Sequence, residues 1–251
     1  MLLKKYDELP QRFKTDAVSA YYERLSRRKG SLAVKRIFDL TVALIAAIIL
    51  LPIYVIIAVM IKLDSKGSIF YRQERVTSYG KKFKIFKFRT MVVNADKIGS
   101  LVTVNKDPRV TRTGRILRKF RLDETPQLLN IIKGDMSFVG TRPEVQKYVE
   151  RYTDEMYATL LLPAGVTSLA SIFYKDEERL LSEADNADDT YVNEVLPGKM
   201  AYNLEYIEKF SFFYDIKLMI MTVLAVCGVE FKKQEQYAES LEKRQYAKQD
   251  K

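Results

Sequence analysis

The sequence predicts a mainly α-helical protein with a few short strands, tied to a membrane by one N-terminal re-entrant helix kinked at Pro52. Three observations predict this. Residues 40–61 carry no charge and are flanked by basic residues on both sides. Thr125-Pro126 opens, and Gly134 closes, an apolar helical pattern near the middle of the chain. A short basic-apolar alternation at 82–91 has the period of a strand.

Residues 1–33 form a polar, basic arm, with Arg24, Arg27, Arg28 and Lys29 before Gly30. The apolar run starts too late for a signal peptide, and no small-residue cleavage site follows it. The arm reads as a mobile or interfacial helix. Residues 34–63 read as the membrane helix. Its uncharged stretch is long enough to cross a bilayer, but Arg27, Arg28, Lys29, Lys35 and Arg36 precede it and Lys62, Lys66, Arg72 and Arg75 follow. Positive flanks mark the cytoplasmic side, and here both flanks claim it. Pro52 removes one backbone hydrogen bond and crowds the carbonyl of Ile48, so the helix kinks or breaks there. A helix that enters, bends and returns satisfies both facts; a plain transmembrane anchor is the alternative.

Residues 68–73 and 82–91 read as strands or extended segments, the second with a cationic face that includes Lys87. Residues 94–98 look helical and 107–114 read as a polar turn region. Arg115, Arg118, Lys119 and Arg121 then crowd the approach to Asp123-Glu124. Such a cluster repels itself unless something anionic joins it. Thr125 as N-cap and Pro126 as first helical residue place both carboxylates just outside a helix N-terminus, where the dipole favours negative charge. Acidic residues often do no more than that at helix starts. The turn at 137–144 returns Arg142, whose planar fork suits phosphate oxygens. Residues 145–160 read as an amphipathic helix through Val145, Tyr148, Val149, Tyr152 and Met156. The acidic run 175–194 reads first as solvated surface, with a surface helix pair or a lid as the alternative. Residues 212–229 are apolar but interrupted by Asp215 and Lys217, and read as an interfacial or buried helix. The charged tail, 231–251, reads as loose.

Composition narrows the chemistry. The 251 residues carry a net charge of +10, which suits nucleic acid, a phosphorylated substrate or acidic lipid. There is no histidine, so Ser-His and Cys-His pairs and histidine-containing zinc sites are excluded. The single cysteine, Cys227, cannot form a disulfide within the chain and reads as a small buried hydrophobe. A hard cation with oxygen ligands, such as Mg2+, fits the remaining inventory.

Leu122-Asp-Glu-Thr-Pro-Gln-Leu-Leu-Asn130, Lys133-Gly-Asp-Met-Ser-Phe-Val-Gly140 and Arg142-Pro-Glu144 together resemble the signature of the bacterial sugar transferases, the monotopic polyprenyl-phosphate phosphoglycosyl transferases. The resemblance runs from about Lys35 to about Val226. It implies a re-entrant membrane helix and a cytoplasmic, α-rich catalytic domain at 64–230, at the bacterial inner membrane. It implies transfer of a sugar-1-phosphate from a UDP-sugar to polyprenyl (undecaprenyl) phosphate with release of UMP, a first membrane step of capsule, exopolysaccharide or glycoconjugate synthesis. By resemblance Asp123 is the covalent nucleophile and Glu124, with Asp123, holds Mg2+. Lys87, Arg118 and Arg142, with Pro143 and Glu144, serve the phosphates. Membrane lipid is an implied partner and nucleic acid is not, while oligomeric state, a homodimer included, stays open. Five positions depart from the pattern. Leu51 replaces a serine before Pro52, leaving the bend angle open. Thr141 replaces a proline before Arg142, which loosens that turn. Ser168-Leu169 replaces Gly-Trp after the Pro163-Ala-Gly165-Val-Thr167 turn and bears on sugar selection or on a subgroup-specific contact. Asn203 falls where many members carry a functional aspartate. Two other classes stand against this reading: a membrane-tethered nucleic-acid binder, with steep salt dependence, and a non-catalytic membrane scaffold.

Overall fold

The computed structural model describes residues 3–95, 107–173, 181, 184, 186–229 and 231. Most of residues 94–98 and 175–185, and nearly all of the tail from 230, lie outside the described residues. The rest is mostly helical, with two small sheets.

The arm packs into the main core. Helix α1 (Asp16–Ser26) follows two 3-10 turns, and Leu9, Phe13, Val18, Tyr21 and Leu25 are all buried in the main core. Arg12 donates to the Tyr157 hydroxyl at 3.1 Å and Tyr21 donates to Glu155 at 2.9 Å. Val18, Tyr21 and Leu25 recur at helical spacing along one face of α1, a signal that the polar composition around them masks.

Helix α2 (Lys29–Asp64) is 36 residues long, with Pro52 inside it. The helical run is not broken at Pro52. Both of its ends are fastened to the same domain. Near the start, Lys35 Nζ donates to Asp215 at 2.5 Å and to the Val139 carbonyl at 2.9 Å. Arg36 donates to the Ile131 carbonyl at 2.7 Å and the Ile132 carbonyl at 3.2 Å. At the far end, Asp64 accepts from the Thr113 N–H at 2.9 Å, and Arg89 donates to the carbonyls of Ser65 and Lys66 at 2.7 and 2.6 Å. Between these anchorages lie Leu44, Ile45, Ile48, Ile49, Leu51, Ile53, Val55 and Ile56, all exposed.

The Lys35 anchorage is fully buried. Asp39 accepts from Ser137 at 2.7 Å, and Tyr206 donates to Asp215 at 2.8 Å. Lys35→Met would leave two buried carboxylates facing an apolar chain. It is expected to cost about 3 kcal/mol, a fall of about 10 °C in Tm in detergent.

Strands β1 (Phe70–Val76) and β2 (Lys82–Phe88) form an antiparallel hairpin that pairs Tyr71 with Lys87. Phe83 and Ile85 face a cluster with Ala43 of α2, whereas Phe88 faces another with Ile57 and Ile61 of α2. The predicted polar turn at 107–114 ends early. Helix α3 (Arg112–Lys119) begins within it, because the Thr111 hydroxyl caps the Gly114 N–H at 3.0 Å.

The helix start near Thr125 also differs from the expectation. Arg121 adopts a left-handed backbone, with φ of 55°, and Leu122–Gln127 forms a 3-10 helix that leads directly into α4 (Leu128–Lys133). Asp123 and Glu124 therefore sit inside a tight helical turn rather than ahead of one. Thr125 bonds back to the Leu122 carbonyl at 2.7 Å instead of capping forward. Gly134 stops α4 as expected, with φ of 84°.

Strand β3 (Met136–Val139) pairs in parallel with β4 (Ala164–Thr167), so the Pro163–Thr167 segment is a strand and not a turn. A Cβ on Gly165 would lie 2.2 Å from the Gly140 nitrogen, so only glycine fits. The expected helix at 145–160 is reduced to α5 (Gln146–Val149) and a 3-10 turn at Met156–Leu161. The Thr153 hydroxyl accepts from the Met156 N–H at 3.4 Å, a local turn that competes with helix. Helices α6 (Leu169–Phe173), α7 (Ala187–Thr190), α8 (Leu196–Lys209) and α9 (Phe212–Val226) complete the described α-helices, and a π-helical turn at Tyr191–Val195 joins α7 to α8. On α9, Asp215 and Leu218 are buried, while Phe213 is 82% exposed and Ile220, Val223 and Val226 are also exposed. Cys227 is exposed, not buried, because it lies past the end of α9 on this uncovered side.

Candidate active site

The turn that carries Asp123 and Glu124 is held between the two places where α2 meets the domain. Leu128 and Ile131 just after it pack with Ala43, and Leu117 and Leu122 just before it pack with Ile57, Ile61 and Tyr54. Strand β2 runs alongside and presents Lys87. The loop after β3 presents Arg142.

These elements bring four charged side chains together. Lys87 Nζ donates to Glu124 Oε1 at 2.7 Å. Arg142 Nη2 donates to the same oxygen at 2.5 Å, and Nη1 reaches Oε2 at 3.4 Å. Burial alone would raise the Glu124 pKa. The Arg142 guanidinium and Lys87 ammonium override burial and hold it well below the ordinary carboxylate range. Lys87 is lowered from its ordinary value, by burial first and then by the Arg142 charge, against the pull of Glu124.

Asp123 is 8% exposed, and no other side chain donates a hydrogen bond to it among the described residues. Burial raises its pKa, and the Glu124 charge adds to this, with Lys87 and Arg118 opposing. Two adjacent carboxylates are thus pushed in opposite directions, a pattern that separates their chemical roles. Glu124 is the shared anion of Lys87 and Arg142, and they favour its ionised form. Asp123 is a more basic carboxylate that accepts from no other side chain among the described residues.

Arg118 lies near Asp123 but bonds elsewhere: its Nε donates to Thr90 Oγ1 at 3.0 Å. That contact depends on a close approach of α3. A Cβ on Gly114 would lie 2.0 Å from the Thr90 carbonyl oxygen, which is backbone and cannot swing away. Gly114→Ala is therefore expected to displace α3 and, with it, Arg118. Activity should fall about 10- to 100-fold, with a smaller loss in Arg118→Ala backgrounds; steady-state assays of both variants check this.

Glu144 does not join the group. Its carboxylate is buried and accepts from the Tyr191 hydroxyl at 2.6 Å and Lys199 at 3.3 Å. Burial would raise its pKa, but Lys199, Tyr191 and Arg75 hold it down. The Pro143 carbonyl accepts from Arg75 at 3.2 Å. Pro143 and Glu144 thus tether the loop that carries Arg142. Sequence reasoning missed Arg75, Tyr191 and Lys199 as their partners.

Thr141 does not leave its turn loose. Its carbonyl accepts from the Gly165 N–H at 2.9 Å, and Gly140 bonds the Thr167 carbonyl at 3.0 Å. Ser168 is buried and caps α6, accepting from the Ser171 N–H at 2.9 Å. Asn203 is 2% exposed within α8, with its amide nitrogen against Met200 sulfur at 3.7 Å. Leu51 and Pro52 are exposed on α2, away from the charged group. Among the described residues, no three acidic, cysteine or histidine side chains cluster as a metal site. Asp123 and Glu124 are adjacent oxygen donors.

Comparison with known proteins places this geometry. The profile of the bacterial sugar transferases matches residues 30–229. The chain belongs to the bacterial sugar transferase family. It is 34% identical over 197 residues to the UDP-N-acetylgalactosamine-undecaprenyl-phosphate N-acetylgalactosaminephosphotransferase of Aeromonas hydrophila, covering 77% of this chain and 43% of that one. It is 44% identical over 125 residues to a putative undecaprenyl-phosphate N-acetylgalactosaminyl 1-phosphate transferase of Bacillus subtilis, covering 50% of this chain and 70% of that one. It is 34% identical over 208 residues to the exopolysaccharide production protein ExoY of Sinorhizobium fredii, covering 77% and 85%. The chain thus spans less than half the length of the Aeromonas relative. The arm, largely ahead of the matched residues, is nonetheless part of this transferase's core.

Proposed function

We propose that this sugar transferase moves a sugar-1-phosphate from a UDP-sugar to a polyprenyl phosphate at the cytoplasmic membrane face, releasing UMP through a covalent Asp123 intermediate. The observation that carries this is the split pair: Glu124 bound by Lys87 and Arg142, and Asp123 buried beside it with no cation bonded to it among the described residues.

In the first step an Asp123 oxygen attacks the sugar-linked phosphorus. The bond from that phosphorus to the bridging oxygen breaks, and the oxygen leaves on UMP. In the second step an oxygen of the polyprenyl phosphate attacks the same phosphorus, and the Asp123 carboxylate leaves. One hard displacement becomes two easier ones. The raised pKa makes Asp123 a better nucleophile than an exposed carboxylate. Arg142 and Lys87, already aimed at one carboxylate, are placed to take phosphate oxygens, and Arg118 adds positive charge near Asp123.

Mg2+ fits the donor set. It is commonly bound by one or two carboxylates together with substrate phosphates, and Asp123 and Glu124 provide that pair. When bound it would neutralise diphosphate charge.

The two anchorages of α2 support a re-entrant membrane segment. A straight 36-residue helix is about 54 Å long. A helix crossing the bilayer would carry its far end away from the domain, yet Lys35 and Asp64 both bond to it. The exposed apolar stretch between them, with Pro52 at its bend, dips into one leaflet, and the exposed face of α9 lies against the surface. The acceptor's phosphate at headgroup level then meets Asp123.

The test is UMP release from a panel of UDP-sugars by nanodisc-held protein with polyprenyl phosphate and Mg2+. Release with a particular donor, lost on chelation, supports the proposal. Silence across the panel from folded protein contradicts it.

A further inference from the structure

Strand β2 has a partner on each edge. On one side it pairs with β1. On the other lies Asn130 of α4, a side chain only 1% exposed. Its Oδ1 accepts from the Phe86 N–H at 2.9 Å, and its Nδ2 donates to the Lys84 carbonyl at 2.9 Å. These are the two backbone groups that a third strand would bond. A primary amide is suited to both because it presents an acceptor and a donor side by side. Lys133, one turn further along α4, places its Nζ 4.7 Å from the Phe86 ring. Helix α4 thus grips β2 at the residue immediately before Lys87.

The same helix follows directly on the turn that carries Glu124. One side chain therefore joins the strand that delivers Lys87 to the turn that delivers Glu124, and those two meet at 2.7 Å. The phosphate-binding role of Lys87 needs it at that position, and β1 alone leaves the outer edge of β2 free to shift.

We propose that Asn130 is a positioning residue for the reaction, acting on substrate only through Lys87 by holding strand β2 against the Asp123–Glu124 turn. This rests on the reading of Lys87, Asp123 and Glu124 as the reacting site.

A double-mutant cycle on the full chain in nanodiscs tests it. Asn130→Ala should lower kcat/KM about 10- to 100-fold in the wild-type background, but less than about 3-fold in a Lys87→Met background. Equal losses in both backgrounds would overturn the proposal, because a general loss of structure does not depend on Lys87. A second readout does not use activity: hydrogen–deuterium exchange of the β2 peptide, followed by mass spectrometry, with β3 and β4 as internal controls. Release of β2 from α4 should speed exchange at Phe86, whose N–H is bonded to Asn130, and at its neighbour Lys87, while the controls keep their rates. Unchanged exchange across β2 would also overturn the proposal. If the alanine variant does not fold, Asn130→Asp, which keeps the acceptor for Phe86 N–H and loses the donor, carries both measurements. Failure of the underlying site reading has its own signature: Lys87→Met would then keep full activity on its own.

Discussion

The Asp123→Asn substitution is expected to lower kcat by at least about 10³-fold and to leave Tm unchanged or raised. The activity loss follows from removing the attacking oxygen's charge while keeping its shape. The stability result follows from the sign of the pKa shift. Burial, assisted by Glu124, raises the folded pKa of Asp123 above its unfolded value. A carboxyl raised in this way favours folding below its unfolded pKa, near 3.9, and that contribution is lost as pH rises through the folded pKa. At neutral pH the ionised group therefore weighs against the fold, and a neutral amide removes the burden. Differential scanning fluorimetry beside the activity assay checks both halves. A Tm fall of more than a few degrees would mark Asp123 as structural.

Glu124→Gln is expected to behave in the opposite way in the melt. It leaves Lys87 and Arg142 without their shared anion. Breaking a buried pair costs about 3–5 kcal/mol. The Arg142 side chain is 34% exposed, which reduces this to about 2 kcal/mol, a fall of about 4–8 °C. Activity should fall by about 10²-fold or more as the two cations lose their alignment. The pH dependence is the mirror image of that for Asp123. Arg142 and Lys87 overcome burial and hold the folded Glu124 pKa well below its unfolded value, near 4.3. Its stabilisation is present above the unfolded pKa and disappears as pH falls through the folded one. The wild-type Tm should therefore drop on acidification below about pH 4 by more than the Tm of the glutamine variant. Parallel acid slopes in the two proteins would show that Glu124 is not held by its cations.

Much of the site was legible because the signals are local or carried by ordered motifs. The Asp123-Glu124 pair, the basic approach through Arg118, the Lys87 strand and the Arg142 turn each lie in a short, distinctive stretch, and the fold brings Lys87 and Arg142 onto Glu124. The uncharged run marked α2, and Gly134 marked the end of α4. What was not legible depends on long-range partners. Glu144 is claimed by Tyr191 and Lys199, 47 and 55 residues away, and nothing near Glu144 announces them. The arm read as a mobile or interfacial helix because its composition is polar, although Leu9, Phe13, Val18, Tyr21 and Leu25 bury it in the core. Thr125-Pro126 carries the residues of a helix start, but the left-handed Arg121 winds a 3-10 turn earlier and draws both carboxylates inside it. Residues 145–160 have helical apolar spacing, which the turn at Thr153 overrides. Cys227 was misplaced because an apolar run reads the same whether it faces a core or an uncovered surface.

The central claim is that Asp123 carries the sugar phosphate covalently. The most direct measurement is intact-protein mass after incubation with the UDP-sugar that supports UMP release, with polyprenyl phosphate withheld. The account predicts one equivalent of UMP per protein and a mass increase of one sugar phosphate, located by peptide mapping to Asp123. That adduct should disappear when polyprenyl phosphate is added and be absent from Asp123→Asn. UMP release that requires the acceptor from the outset, with no adduct on the wild-type chain at any time, would contradict it and point to direct transfer between the two substrates.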